Sequence, residues 1–324
     1  MLSRTVLALA LTALIGCSSS SGSAEPQARV GQINGSDTWQ GEVTLTGAVI
    51  VAKGATVEIA PGAHITCAAG ASIYVDGVLH ARAAASHAKI SCPTWNGIAV
   101  DAGGAIDTEG VELENAQLAI ALLDGAADSR FAQGAITNAV HPFTVGKGST
   151  LTLDHVQSKT AATQGVNGDA PVVGKLVASY LEYDSGANDG VTARDGGALD
   201  ISDSTFTGAQ FDLVLSYGGS SVKIAYSTFK GSHCGMHIQP ADSFTIDHVT
   251  ADDIYGITIY ASGNGPNTVS SSNLTGSAAW LDFQGDNGPI AFTNVYVSGQ
   301  QVMKGGPPPT ITTVAAPIPD AKPR

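Results

Sequence analysis

Between Gly190 and Phe283, apolar residues come in pairs separated by a single residue: Val191/Ala193, Leu213/Leu215, Met236/Ile238, Ile257/Ile259 and Leu281/Phe283. Alternation within a pair is the period of a β-strand with one face buried. The first members recur at nearly constant spacing along the chain. Recurrence roughly every 20–25 residues marks a stacked solenoid, in which each turn covers the apolar face of the last. The pairs continue toward the N-terminus as Phe143/Val145, Ile120/Leu122, Ile98/Val100, Ile73/Val75 and Val49/Val51. The gap from Phe143 to Val191 is double the usual interval, room for two turns, so one more pair is expected between Asp169 and Val173.

A second ladder, with the same interval as the first, runs through Leu153, Ala178, Ile201, Ile224, Ile246, Val269 and Phe292. Just beyond each rung, with one residue between, lies a polar column: His155, Tyr180, Asp203, Tyr226, His248, Ser271 and Asn294. Such a column is expected at a corner, where stacked side chains hydrogen-bond as the chain turns. This position gives His155 and His248, each in an Asp-His-Val triplet, a structural rather than a catalytic reading. Together the ladders predict an all-β chain coiled as a right-handed parallel β-helix of about 11–12 rungs. At about 4.8 Å per rung, the rod is roughly 50–60 Å long.

The coil is expected over residues 32–304, with the stretch 32–47 and its Trp39 covering the first rung so that no strand edge is left open. Gly305-Gly306-Pro307-Pro308-Pro309 ends the pairing, because proline has no N–H to give a ladder. The Pro- and Ala-rich residues 305–324 are expected to form a disordered tail. Ahead of the coil, Arg4 and the short apolar run from Val6 to Ile15 read as a signal peptide over residues 1–17. Leu14-Ile15-Gly16-Cys17 resembles the lipobox of bacterial lipoproteins. That resemblance implies cleavage before Cys17 and acylation, palmitate included, of its thiol and new amino terminus. Ser18 after the cysteine resembles the outer-membrane sorting pattern. Residues 18–31 then form a flexible tether, and the expected setting is a lipid anchor in the outer membrane, at its periplasmic or cell-surface face.

Composition narrows the partners. The 39 glycines suit short strands and tight corners. A net charge of -13 excludes nucleic acid, since no basic patch could offset the phosphates. It leaves room for a cationic partner, or for an acidic glycan held through a cation. Cys67 and Cys92 are one repeat apart and follow the matching pairs Ile65-Thr66 and Ile90-Ser91. They therefore occupy the same place on neighbouring rungs, and in an exported protein they should form a disulfide. His233-Cys234-Gly235-Met236-His237 offers the soft ligands that copper prefers. The register sends Cys234 and Met236 inward and both histidines outward, so the four cannot close on one ion and no metal site is expected.

The opening rungs, Gly41-Glu-Val-Thr-Leu-Thr-Gly-Ala-Val-Ile-Val-Ala-Lys-Gly-Ala-Thr-Val-Glu-Ile-Ala-Pro-Gly-Ala-His-Ile, lead into Ile73-Tyr-Val-Asp-Gly-Val-Leu-His-Ala and then Trp95-Asn-Gly-Ile98. This stretch is similar to the start of the right-handed β-helix proteins of the pectin-lyase-like superfamily, and the likeness extends as architecture over residues 41–300. Enzymes of that superfamily work on long polysaccharides lying along the outer face of one sheet. Their reactions are elimination beside a uronate, hydrolysis between carboxylates, and epimerisation. On the outward side of the main ladder the second half of this chain carries Arg194, Ser216, His237, Gln239, Tyr260, Asp282 and Gln284. The resemblance implies a base in His237 or Tyr260, a cation in Arg194 and a carboxylate in Asp282, with Ser216, Gln239 and Gln284 binding ligand.

The sequence also departs from those enzymes. The acidic Ca²⁺ cluster of pectate lyases is reduced to Asp282, the polygalacturonase motifs to Asp252-Asp253, and the epimerase Asp-Pro-His is absent. The expected function is therefore a non-catalytic envelope lipoprotein whose β-helix binds a glycan or a surface protein. A polysaccharide lyase, hydrolase or epimerase is the first alternative, and a structural spacer of the envelope the second. No cofactor is expected, with Ca²⁺ entering only for a lyase.

Overall fold

The computed structural model describes residues 26–161, 169–186, 189–239, 241–260, 267–284, 288–304 and 308–324. Regular structure among them is entirely β: 34 strands, every pairing parallel, stacked in about 11 turns. Each turn passes through three sheets. Ser72–Val75 lies in the first, Val78–Arg82 in the second and Ala88–Trp95 in the third. Gly97–Val100 then returns to the first sheet, hydrogen-bonded to Ser72–Val75 one rung below. Strands this short, each bending into the next sheet, leave one apolar face per segment, and stacking the turns buries all of them in one core.

The two ladders stand nearly as the periodicity predicts. On the first sheet Val49, Ile73, Ile98, Ile120 and Phe143 are aligned rung upon rung, and so are Met236, Ile257 and Leu281. The expected extra rung is Ala170–Val172, paired with Val145 below and with Val191–Ala193 above. On the second sheet every step from Leu153 to Phe292 is in the predicted register.

One rung is shifted. Val191 is aligned with Val214, and Val214 with Met236, so Val214 and Ser216 point into the core and Leu215 points out. Of the expected inward pair Leu213/Leu215, Leu213 is buried in the core at the start of the strand but Leu215 is not, and Ser216 is fully buried rather than displayed as a ligand-binding side chain. Leu213, Val214 and Leu215 are all apolar, and a one-residue slip exchanges the two faces of a strand. Hydrophobicity alone cannot place such a run, least of all when the second core position is a serine.

The corner column between the second and third sheets has a common backbone. His155, Tyr180, Asp203, Tyr226, His248, Ser271 and Asn294 all adopt positive φ, between 47° and 54° counting Gln133 one turn earlier. This left-handed conformation is uncommon for residues with a Cβ. Here it turns the chain sharply at each level, and neighbouring side chains stack on one another. His155 and Tyr180 stack with ring centroids 4.3 Å apart, and Tyr226 and His248 at 4.7 Å.

Both ends differ from expectation. Gln27–Ile33 and Ser36–Trp39 already pair with the turn above, so the coil begins inside the stretch expected to be tether. Trp39 is fully buried there, its Nε1 donating to Asp37 Oδ2 at 3.0 Å. At the other end residues 308–324 are ordered, not a frayed tail. Thr310–Thr313 pairs with the strand containing Phe292, and the chain then runs back down the corner column. Asn273 clamps Ile318 through both amide atoms, Thr250 donates to the Ala321 carbonyl, and Arg324 reaches Asp203. Proline bars a segment from continuing a ladder, but it does not prevent side chains from holding that segment in place. Cys67 and Cys92 form the expected disulfide, with Cα atoms 5.0 Å apart. The signal peptide, Cys17 and residues up to 25 lie outside the described residues.

Candidate functional site

Outward positions of the first sheet form three columns near the middle of the rod. The central one runs Pro171, Thr192, Leu215, His237, Thr258, Asp282. Following the register past each strand end, the next holds Arg194, Tyr217, Gln239, Tyr260 and Gln284. The corrected register thus puts Tyr217, not Ser216, beside Arg194 and Gln239. At the strand starts, Asp189 and Asp212 stand on adjacent rungs, with Cys234 next above Asp212.

The closest constellation is centred on His237. Its Nδ1 lies 2.9 Å from Asp212 Oδ2, and its ring packs against Tyr260 with centroids 4.9 Å apart. A proton on Nδ1 given to Asp212 leaves Nε2 as the nitrogen with a free lone pair. Nε2 is buried and has no hydrogen-bond partner in the protein. Asp189 sits one rung below, its Oδ1 accepting from the Asp212 amide at 3.4 Å. Burial, then the negative charge of Asp212, pushes the Asp189 carboxyl above its ordinary value. Gly190 makes this corner possible: a Cβ there would stand 2.2 Å from the Leu213 carbonyl oxygen.

The other predicted residues are spread along the rod. Asp282 is two rungs above His237, roughly 10 Å away at about 4.8 Å per rung. Its Oδ2 accepts from Gln284, while Oδ1 is buried and unpartnered. Arg194 is on the rung of Thr192, two rungs below His237, and lines a hollow of about 560 Å³ with Asp101, Asp124, Thr144 and Pro171. Its Nε, like Thr192 Oγ1, has no partner. His237 and Tyr260 are therefore brought together, Asp282 and Gln284 form a second group, and Arg194 stands apart from both.

Asp189 and Asp212 are not singled out by the sequence pattern. Their signal is a spacing of one rung, visible only when Val191 is matched to Val214 rather than to Leu213. Cys234 is buried, but not in the core as expected: its Sγ donates to Thr258 Oγ1 of the outward column at 3.2 Å, and burial pushes its thiol well above the ordinary range. Among the described residues no group of three or more His, Cys, Asp or Glu side chains is arranged to hold a metal ion.

A family model described as the right handed beta helix region matches residues 184–300. The chain is a right-handed parallel β-helix. The matched span contains the Asp189–Asp212–His237 corner and the Asp282 group, so the part of this β-helix that carries the outward chemistry is also the part that the family model recognises. A β-helix of this kind fixes architecture and leaves activity to its side chains. No curated protein and no solved structure matches the chain.

Proposed function

We propose that the protein is a cell-envelope lipoprotein, acylated at Cys17, whose β-helix binds an extended glycan along its first sheet. The observation that carries this reading is the stripe of polar atoms without partners on that sheet. Thr192 Oγ1, Arg194 Nε, His237 Nε2 and Asp282 Oδ1 are each unpaired within the protein, and each belongs to an outward column. Leaving such groups unpaired costs about 1–3 kcal/mol apiece, and because the four atoms are covered, a hydroxyl-rich ligand offsets that cost only as the side chains over them move aside. Tyr217 and Tyr260 flank the stripe with rings against which sugar faces can pack. Rungs spaced at about 4.8 Å suit a linear polymer, and the lipid would hold the rod at the membrane while the stripe engages it.

The test is binding of the full chain to a panel of neutral and acidic polysaccharides, with and without Ca²⁺. Saturable binding that falls about tenfold or more in Tyr260→Ala and His237→Ala supports the proposal. Binding to none, or binding indifferent to both changes, contradicts it. Loss of acyl-chain incorporation in Cys17→Ser tests the anchor separately.

The Asp212–His237 pair favours a second reading, in which the same face performs chemistry on the polymer. An imidazole oriented by a carboxylate through Nδ1, with Nε2 free, is the arrangement of a general base. Its neighbour Asp189, biased toward the protonated form, is suited to give a proton back. A lyase, hydrolase or epimerase activity would then be lost in both His237→Ala and Asp212→Asn, whereas pure binding would not release new chain ends.

A further inference from the structure

The corner between the second and third sheets carries one module twice. Asp154-His155-Val156 and Asp247-His248-Val249 each set a histidine at a left-handed corner, its Nδ1 2.8 Å from the preceding aspartate. In each, a serine on the next rung donates to that aspartate: Ser179 at 3.1 Å and Ser270 at 2.7 Å. In each, the imidazole stacks on a tyrosine of an adjacent corner, Tyr180 or Tyr226.

The two copies differ in what lies on them. On the Tyr226–His248 copy the chain's own tail is seated. Asp320 Oδ2 is 3.6 Å from His248 Nε2, and the Arg324 guanidinium lies 4.0 Å over the Tyr226 ring. The same guanidinium forks onto the almost fully buried Asp203 carboxylate, at 2.8 and 2.9 Å. On the His155–Tyr180 copy the rings are open: Tyr180 is 41% exposed and the His155 side chain 57%. Beside His155 a hollow of about 320 Å³ is lined by His87, Glu112, Gln133 and Gln157.

We infer that the Tyr180–His155 corner is a docking site for an irregular, arginine-bearing segment of a partner protein, held as residues 314–324 are held at the neighbouring copy. The seated tail displays the chemistry that the module takes: a guanidinium on the tyrosine face, and a turn-containing backbone tied down by side-chain hydrogen bonds. At the open copy Asp154, shared by His155 and Arg130, lies beside the imidazole, and Glu112, paired with His87, lines the hollow; the whole chain carries a net charge of -13 that draws a cationic segment toward it. The ring order is inverted here, tyrosine above histidine, so the arginine is expected on Tyr180 and the residues beyond it in the hollow beside His155. This site lies on a different face from the first-sheet stripe and does not depend on glycan binding.

The probe is a fluorescently labelled peptide with the sequence of residues 314–324, titrated into the full chain and followed by anisotropy. Saturable one-to-one binding is expected, weaker at high salt. It should fall by about tenfold or more in Tyr180→Ala, in His155→Ala, and when the peptide's arginine is replaced by alanine. Both side chains are exposed, so each variant should keep the parent's circular dichroism and melting. Asn273→Ala, which loosens the resident tail several rungs away, should leave the affinity within about twofold. The inference is overturned by no binding, by binding indifferent to Tyr180 and His155, or by binding indifferent to the peptide's arginine. Tighter binding in Asn273→Ala also overturns it, because the peptide would then be replacing the tail rather than filling the open copy.

Discussion

Val214 and Leu215 are neighbours of similar character, and the shifted rung gives them opposite fates. Val214 is fully buried, aligned between Val191 below and Met236 above. Changing it to aspartate removes about 1.5–3 kcal/mol of side-chain burial. Placing a carboxyl without partners in the same apolar slot adds at least about 2 kcal/mol more, even if the group takes up a proton. The sum, roughly 4 kcal/mol or above, is a large share of the about 5–15 kcal/mol by which folded domains are stable. The lesion also sits mid-rod, where it severs the coupling between turns on either side. Leu215 faces outward between Thr192 and His237 and is only half-buried, so Leu215→Asp should cost about 1 kcal/mol. Thermal and urea unfolding followed by circular dichroism will separate the two. Leu215→Asp should melt within a few degrees of the parent, about 2–4 °C per kcal/mol for a chain of this order, while Val214→Asp should fail to fold or melt far lower. Equal losses, or the reverse order, would refute the register and with it the columns of the candidate site.

Four further outcomes follow from the structure. Ser216→Ala should stabilise by about 1 kcal/mol in urea unfolding, because it removes a buried hydroxyl that has no partner. The Cys67–Cys92 bridge joins cysteines on adjacent rungs, a loop whose closure contributes about 3.5 kcal/mol by chain entropy; reduction should lower the melting temperature, and peptide mapping without reductant should recover the two cysteines linked. Asp189 holds its proton more tightly folded than unfolded, so its ionisation erodes stability as pH rises through the raised pKa. Asp189→Asn should therefore melt at or above the parent at neutral pH and converge with it near about pH 3, and a variant less stable at neutral pH would contradict this. Asp203 shows the opposite sign: the hydrogen bond from Arg324 is the main cause holding its carboxyl below the ordinary range. The stability this adds is present above the unfolded carboxyl value and lost as pH falls through the lowered one, so Arg324→Ala should lower the melting temperature at neutral pH and make no difference in strong acid.

Much of the architecture is legible in the chain because a solenoid repeats its signal. Each turn presents the same alternation at the same spacing, so the second ladder from Leu153 to Phe292 could be read rung by rung. Legibility fails where the local signal is degenerate. Leu213-Val214-Leu215 satisfies either register, and only alignment with Val191 and Met236 settles it. That single slip hid Tyr217 and the Asp189–Asp212 stack, and offered Ser216 in their place. His237 and Tyr260 could be placed together because their own strand ends are unambiguous. The tail failed for a different reason: its composition describes what it cannot do, which is to continue a ladder. It says nothing of Asn273, Thr250 and Asp203, which hold it from outside.

The central proposal is that the first sheet between Val191 and Gln284 is a glycan-binding face. Amide hydrogen exchange of the full chain, with and without a saturating polysaccharide identified in the binding panel, tests it most directly. The account predicts slowed exchange in the first-sheet strands that carry Thr192, His237, Thr258 and Asp282, with the second and third sheets unchanged. Protection confined to another sheet, or a bound polymer that leaves these strands as they were, would contradict it.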